Sequence, residues 1–131
     1  NKLDRAVSWA QSDLFTYLRD ARRHKKLCDI VILDPPKFVA DREELKDGLA
    51  KYHDLNRLAL EVLRPGGVLV TCSCSGLVTD EDFLSMLNRV STGSRRPLQV
   101  FRFAHAAPDH PFHAACMESR YLKVAFARVD G

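Results

Sequence analysis

Apolar residues along this chain alternate between short, nearly continuous runs and longer stretches with helical spacing. Residues 28–33 (Cys-Asp-Ile-Val-Ile-Leu) and 67–73 (starting Gly-Val-Leu-Val-Thr) belong to the first kind. They read as strands buried on both faces, as in a parallel sheet covered by helices. Between them, Leu45, Leu49, Tyr52, Leu55, Leu58, Ala59, Val62 and Leu63 recur at intervals of three and four. That spacing predicts a helix over 41–63, with Gly48 as a point where it splits in two. Leu14, Phe15, Tyr17, Leu18 and Ala21 predict an earlier helix over 13–24, with Ser12 as its N-cap and Asp13 in its first turn. Phe83, Leu84, Met86, Leu87 and Val90 predict a third helix. It is opened by Thr79 as N-cap, with Asp82 at the capping-box position. Residues 91–97 read as a polar loop. Leu98 to Phe103 and Tyr121 to Val129 alternate as half-buried strands do, and the Pro108 and Pro111 region between them reads as a surface loop. Residues 6–10 form a short apolar stretch read as a first strand.

Punctuation sharpens these boundaries. Asp34-Pro35-Pro36 stops the strand at 28–33, because proline lacks the N–H a ladder needs and restricts the residue before it. Arg64-Pro65-Gly66-Gly67 stops the long helix, and the next strand begins at Gly67. The predicted order is β-α-β-α-β-α-β-β. This is an α/β fold with a mixed sheet, mostly parallel with an antiparallel closing strand.

Composition adds limits. The 131 residues leave room for one domain, and 46% hydrophobic with 28% charged residues is ordinary globular usage. The formal net charge of +3 permits a nucleic-acid partner without demanding one. The cations from Arg19 to Lys26 suit a helix C-terminus. No apolar run approaches the length of a membrane span. The four cysteines do not form a secreted disulfide framework, which points to a reducing, cytoplasmic setting. The chain starts at Asn1 without a methionine, and is expected to be a piece of a longer protein.

Ligands in open α/β sheets bind beyond the carboxyl ends of parallel strands. Asp34 closes the first predicted strand, and Thr71-Cys72-Ser73-Cys74-Ser75-Gly76 closes the second. A carboxylate and a pair of thiols are therefore expected to share one crevice. Asp34 before two prolines also suits a turn-capping role, and free cysteines are often inert core residues. His105, His110, His113 and Cys116 are metal-capable, but they lack a cysteine pair at zinc-finger spacing, so no metal is assigned.

The strand ending in Asp34-Pro35-Pro36-Lys37, the helix, Arg64-Pro65-Gly66-Gly67, the next strand and the closing pair resemble a class I S-adenosylmethionine (SAM)-dependent methyltransferase. Thr71 to Gly76, Asp109-His110-Pro111 and Tyr121-Leu122-Lys123 narrow the resemblance to the bacterial large-subunit ribosomal RNA cytosine-5 methyltransferases. Full-length members of that family carry an N-terminal PUA RNA-binding domain and a Rossmann-like catalytic domain. Residues 1–131 match the C-terminal part of that catalytic domain. The PUA domain and the glycine-rich SAM turn are missing from the match.

The resemblance implies a SAM-dependent enzyme that methylates carbon 5 of a cytosine in ribosomal RNA through a covalent cysteine adduct. Cys74 is the implied nucleophile, and Asp34 holds the base. Pro35 and Pro36 form a wall for the base, and Lys37 meets a phosphate or is solvated. His110 faces the substrate from its loop. Asp13 matches an aspartate that contacts the adenine amine of SAM, with Leu14 packing beside it; the charge preference of a helix N-terminus explains Asp13 equally well, and core packing suits Leu14 better. The alternatives are an enzyme that methylates a base amine, with Cys74 structural, and an inactive fragment or interaction module. The piece alone is expected to be inactive, and to self-associate through the apolar edge at 28–33.

Overall fold

The computed structural model describes residues 6–130. Seven main elements follow in order: helix α1 (Leu14–Arg23), strand β1 (Cys28–Leu33), helix α2 (Leu45–Val62), strand β2 (Leu63–Ser73), helix α3 (Asp80–Ser94), strand β3 (Leu98–Ala104) and strand β4 (Lys123–Val129). A single 3-10 turn, Met117–Ser119, interrupts the long connection between β3 and β4.

The sheet order is β1-β2-β4-β3. β1 and β2 are parallel, with Leu33 opposite Thr71. β4 is antiparallel to both β2 and β3, which makes it the one reversed strand of the four. The expected closing strand thus inserts between β2 and β3 rather than sitting outside them. Its first residue, Lys123, pairs with Ser73, the last of β2. The start of β4 therefore lies at the carboxyl end of the parallel pair.

Alternation divides the sheet into two unlike faces. Leu33, Leu69, Thr71, Ser73, Ala125, Ala127 and Val129 are buried, and Leu33, Leu69, Ala125 and Val129 join Leu55, Leu58, Ala59, Val62, Phe83, Met86 and Val90 in the buried core. Ile30 and Ile32 are 59% and 68% exposed. β1 is therefore not buried on both faces, contrary to its apolar sequence. The helices of the described residues cover one side of the sheet, and β1 also occupies its edge.

Several boundaries differ from the sequence reading, each for a local reason. Residues 6–10 form no strand; they are exposed, Trp9 to 92%, and no strand pairs with the outer edge of β1 among the described residues. The N-cap of α1 is Asp13, not Ser12. Its Oδ1 accepts from the Thr16 backbone N–H at 2.9 Å and from the Thr16 hydroxyl at 3.0 Å. α2 is unbroken at Gly48 and starts at Leu45, because residues 41–44 are turn. β2 already begins at Leu63. The Arg64–Gly67 stop is absorbed as an irregularity against β1, with Gly66 at φ 77°. α3 continues through Ser94 and ends at a left-handed Arg95, so only the last part of the predicted polar loop is loop. Its capping box forms as expected, with Asp82 reaching back to the Thr79 N–H at 3.0 Å.

Candidate active site

The carboxyl ends of β1 and β2 and the start of β4 converge on one cavity of about 600 Å³. Its wall includes Lys37 from the turn after β1 and Cys74, Gly76 and Leu77 from the turn after β2. Glu118, Arg120 and Tyr121, from the approach to β4, close the other side. Cys74 is half-buried and continues the strand alternation, while Ser73 and Ser75 point into the core. A thiol set into a largely apolar wall that also carries Lys37, Arg120 and Glu118 is suited to adding to a flat, electron-poor ring.

The turn carrying Cys74 is held from three directions. The Tyr52 hydroxyl and Ser75 Oγ are 3.0 Å apart, and the Val39 N–H donates to the same Oγ at 3.3 Å. Tyr52 packs edge-on against Phe38 at 4.9 Å and against Phe83 at 6.0 Å. From β4, the Lys123 ammonium donates to the Ser75 carbonyl at 2.8 Å and to the Val78 carbonyl at 2.5 Å. Lys123 is 3% exposed, and burial pulls its pKa below the usual lysine range, partly offset by Asp80, Cys74 and Asp82. The turn is therefore a preorganised platform, with its backbone carbonyls satisfied by a buried cation.

The two cysteines occupy different environments. Cys72 lies within β2, opposite Val124, on the sheet face that the helices leave uncovered. Burial pushes its thiol up, and the charges of Asp34 and Cys74 push it further. A raised pKa keeps Cys72 protonated as pH passes through the ordinary thiol range, so its alkylation begins only at higher pH. In iodoacetamide labelling followed by peptide mass spectrometry at about pH 8, Cys72 is expected to react more slowly than the exposed Cys28 and Cys116. Asp34→Asn removes one of the anions and is expected to speed Cys72 labelling. An unchanged rate would mean that the Asp34 charge does not reach Cys72.

Asp34 is exposed at the end of β1, one residue beyond the Leu33–Thr71 pair. It is not part of the cavity wall; neither are Pro35, which is buried, and Pro36, which is exposed. Of the Asp34–Lys37 motif, only Lys37 reaches that wall. His110 lies elsewhere, on a second cavity of about 380 Å³ that also contains His105, Phe112 and Arg120. His105 Nε2 is 2.8 Å from Asp80 Oδ2, which ties the long β3–β4 connection to the start of α3.

Asp13 and Leu14 sit at the start of α1. Leu14 lines a shallow cavity of about 310 Å³ with Ser8, Trp9, Ser12 and Tyr17. The Thr16 hydrogen bonds hold the Asp13 carboxyl below its usual range. Both bonds use Oδ1, and Oδ2 has no partner among the described residues. That oxygen can accept from an amine. Neither residue lines the Cys74 cavity.

The sequence reading missed Tyr52, Ser75, Glu118, Arg120 and Tyr121 as parts of the site or its support. Tyr52 looks like one more apolar residue of a helix stripe, and the 117–121 segment has no periodicity to place it. Only Tyr121-Leu122-Lys123 carried a signal, as a sequence motif without a role.

Known proteins provide an independent comparison. No protein-family profile matches the chain. The ribosomal RNA large subunit methyltransferase I of Shewanella frigidimarina is 37% identical over 129 residues, covering 98% of this chain and 32% of that protein. The protein of the same name from Cronobacter sakazakii is 38% identical over 124 residues, covering 94% and 31%. This chain thus spans about a third of the length of the curated relatives it matches. Among solved structures, SMU.776 complexed with SAH superposes with a TM-score of 0.75 at 27% identity, covering 95% of this chain and 33% of that one. The fold is that of a class I methyltransferase, with the mixed sheet expected of it.

Proposed function

We propose that this chain forms the substrate-side part of a SAM-dependent RNA methyltransferase that modifies carbon 5 of a cytosine in large-subunit ribosomal RNA. The observation that carries this reading is the half-buried Cys74 thiol in the wall of a cavity at the carboxyl ends of the parallel strands. The likeness to proteins named ribosomal RNA large subunit methyltransferase I supports the substrate class.

Carbon 5 of cytosine is a weak nucleophile, and the neighbouring thiol changes that. The Cys74 thiolate adds to carbon 6, forming a C–S bond and placing the electron pair on carbon 5 as an enamine. The Asp34 carboxylate, exposed at the end of β1 and three residues before Lys37 of the cavity wall, is the acceptor for the exocyclic amine. Pro35 and Pro36 stiffen the turn between Asp34 and Lys37, and Lys37 faces a phosphate. After methylation, the carbon 5 proton leaves to a base, the C–S bond breaks and the ring double bond returns. The target base must stand outside any stack to reach Cys74.

SAM supplies the electrophilic methyl group when bound. The Asp13 Oδ2 and the Leu14 side chain fit its adenine end, as an amine acceptor beside an apolar wall. Among the described residues, no glycine-rich turn joins a strand to a helix in a phosphate- or ribose-cradling position, so these residues hold one end of the cofactor only.

The test is mechanism-based trapping in the natural gene product. With SAM and RNA carrying 5-fluorocytidine at the target position, the carbon 5 substituent cannot leave as a proton, and a stable protein–RNA adduct is expected at Cys74 by peptide mass mapping. Methylation of an exocyclic amine on ordinary RNA, with no adduct, would overturn the cytosine-5 reading in favour of amine transfer.

A further inference from the structure

We infer that the second cavity, beside the Cys74 site, holds the nucleobase adjacent to the target cytosine, with Arg120 at the phosphate between the two nucleotides. This rests on the RNA reading above. It adds a binding site that the chemistry at Cys74 does not require.

The key observation is that Arg120 lines both cavities. On one side of it are Cys74, Lys37 and Tyr121; on the other are His105, His110, Pro111 and Phe112. Successive bases in a single strand are joined through one phosphate, so a cation between two base-sized hollows stands where that phosphate must pass. The guanidinium is anchored at one nitrogen, Nη2, which is 3.4 Å from His105 Nε2 and 3.8 Å from Asp80 Oδ2. His105 is in turn 2.8 Å from the same Asp80 oxygen. An arginine has five N–H donors in a rigid fork, so anchoring one end leaves the other free for phosphate oxygens. Asp80 offsets part of the local positive charge, and Lys37 restores it on the Cys74 side.

The second cavity has the surfaces that an unstacked base needs. Phe112 is 50% exposed, lines this cavity and has no aromatic partner among the described residues, so its ring face is open to a base. His110 and Pro111 precede it directly, and both are exposed. Bases splayed out of a strand stack on such rings and hydrogen-bond to imidazoles along their edges. Held on both sides of Arg120, the strand would present its target base to Cys74 in a fixed register. His110 thereby takes a substrate role at the neighbouring nucleotide rather than at the target base.

Photo-crosslinking tests this assignment. Short RNAs containing the target cytidine, with 5-iodouridine placed immediately 5′ or 3′ to it, are irradiated with the natural gene product, and the adduct is mapped by mass spectrometry. One of the two positions is expected to cross-link at Phe112. In steady-state methylation, Phe112→Ala and His110→Ala are expected to raise the KM for such RNA roughly fivefold or more with little change in kcat, as loss of one base-stacking contact predicts. The same variants should bind equally to RNA that is abasic at the cross-linking position. Methylation by the wild type with no cross-link at 105–112 and an unchanged KM would overturn this second site and leave the proposed function intact. Failure of the wild type to methylate any RNA would instead remove the reading on which the site rests.

Discussion

For the proposed cytosine-5 transfer, replacing Cys74 with alanine is expected to reduce the rate by roughly 10³-fold or more, the scale seen when a covalent nucleophile is removed. The loss falls on kcat. RNA affinity changes little, because the surrounding cavity wall from Lys37 to Tyr121 stays in place. Cys72→Ala provides the internal comparison. Its thiol lies within β2, is held protonated by burial, and faces away from the helical core, so its removal costs less than tenfold by the same logic. Methyl incorporation from labelled SAM, with nucleoside analysis of the product, separates the two variants. Equal losses would mean that the platform rather than the Cys74 thiol carries the reaction. Full activity of Cys74→Ala with the methyl on an amine would move the chain to the alternative chemistry.

Gly48→Ala destabilises the fold by about 2 kcal/mol, although alanine is the better helix former by about 1 kcal/mol. The reason is tertiary. A Cβ at Gly48 would lie 2.2 Å from Val39 Cγ2 and 2.7 Å from the Phe38 carbonyl oxygen. Val39 is fully buried, and its N–H donates to Ser75 Oγ, so the segment cannot retreat without pulling on the turn that bears Cys74. Urea unfolding should show the midpoint falling with the slope unchanged. The same variant should also lose methyl transfer beyond what its reduced folded fraction explains, because Phe38 and Val39 directly follow Lys37 of the cavity wall. A neutral or stabilising Gly48→Ala would show that the 38–39 segment yields freely.

These two positions mark how far the sequence reading reached. Cys74 stands out in the sequence because a strand end and a thiol coincide within four residues, and the structure places it in a cavity wall. Gly48 was misread as a helix break, since a glycine inside an apolar periodicity looks the same whether it ends a helix or admits a neighbouring backbone. The same limit explains Ser12. Either Ser12 or Asp13 can cap α1, and the choice depends on which carboxylate or hydroxyl geometry meets Thr16 in the folded chain.

The amino-acid sequence by itself determined the types of the seven main elements, the α/β class, the strand ends that bear Asp34 and Cys74, and the capping box of α3, though not the absence of a strand at residues 6–10. These depend on contacts within a few residues, so spacing and residue type record them directly. The tertiary structure alone decided that β4 inserts between β2 and β3, that Ile30 and Ile32 lie open, and that Lys123 is buried beneath the Cys74 turn. It also decided that Arg120 stands between two cavities. Those arrangements bring together residues far apart in sequence, and their energetics depend on which surfaces meet. Apolar Ile30 has the same sequence signature whether a helix covers it or not, and Lys123 looks like any strand-end cation until the Ser75 and Val78 carbonyls close around it.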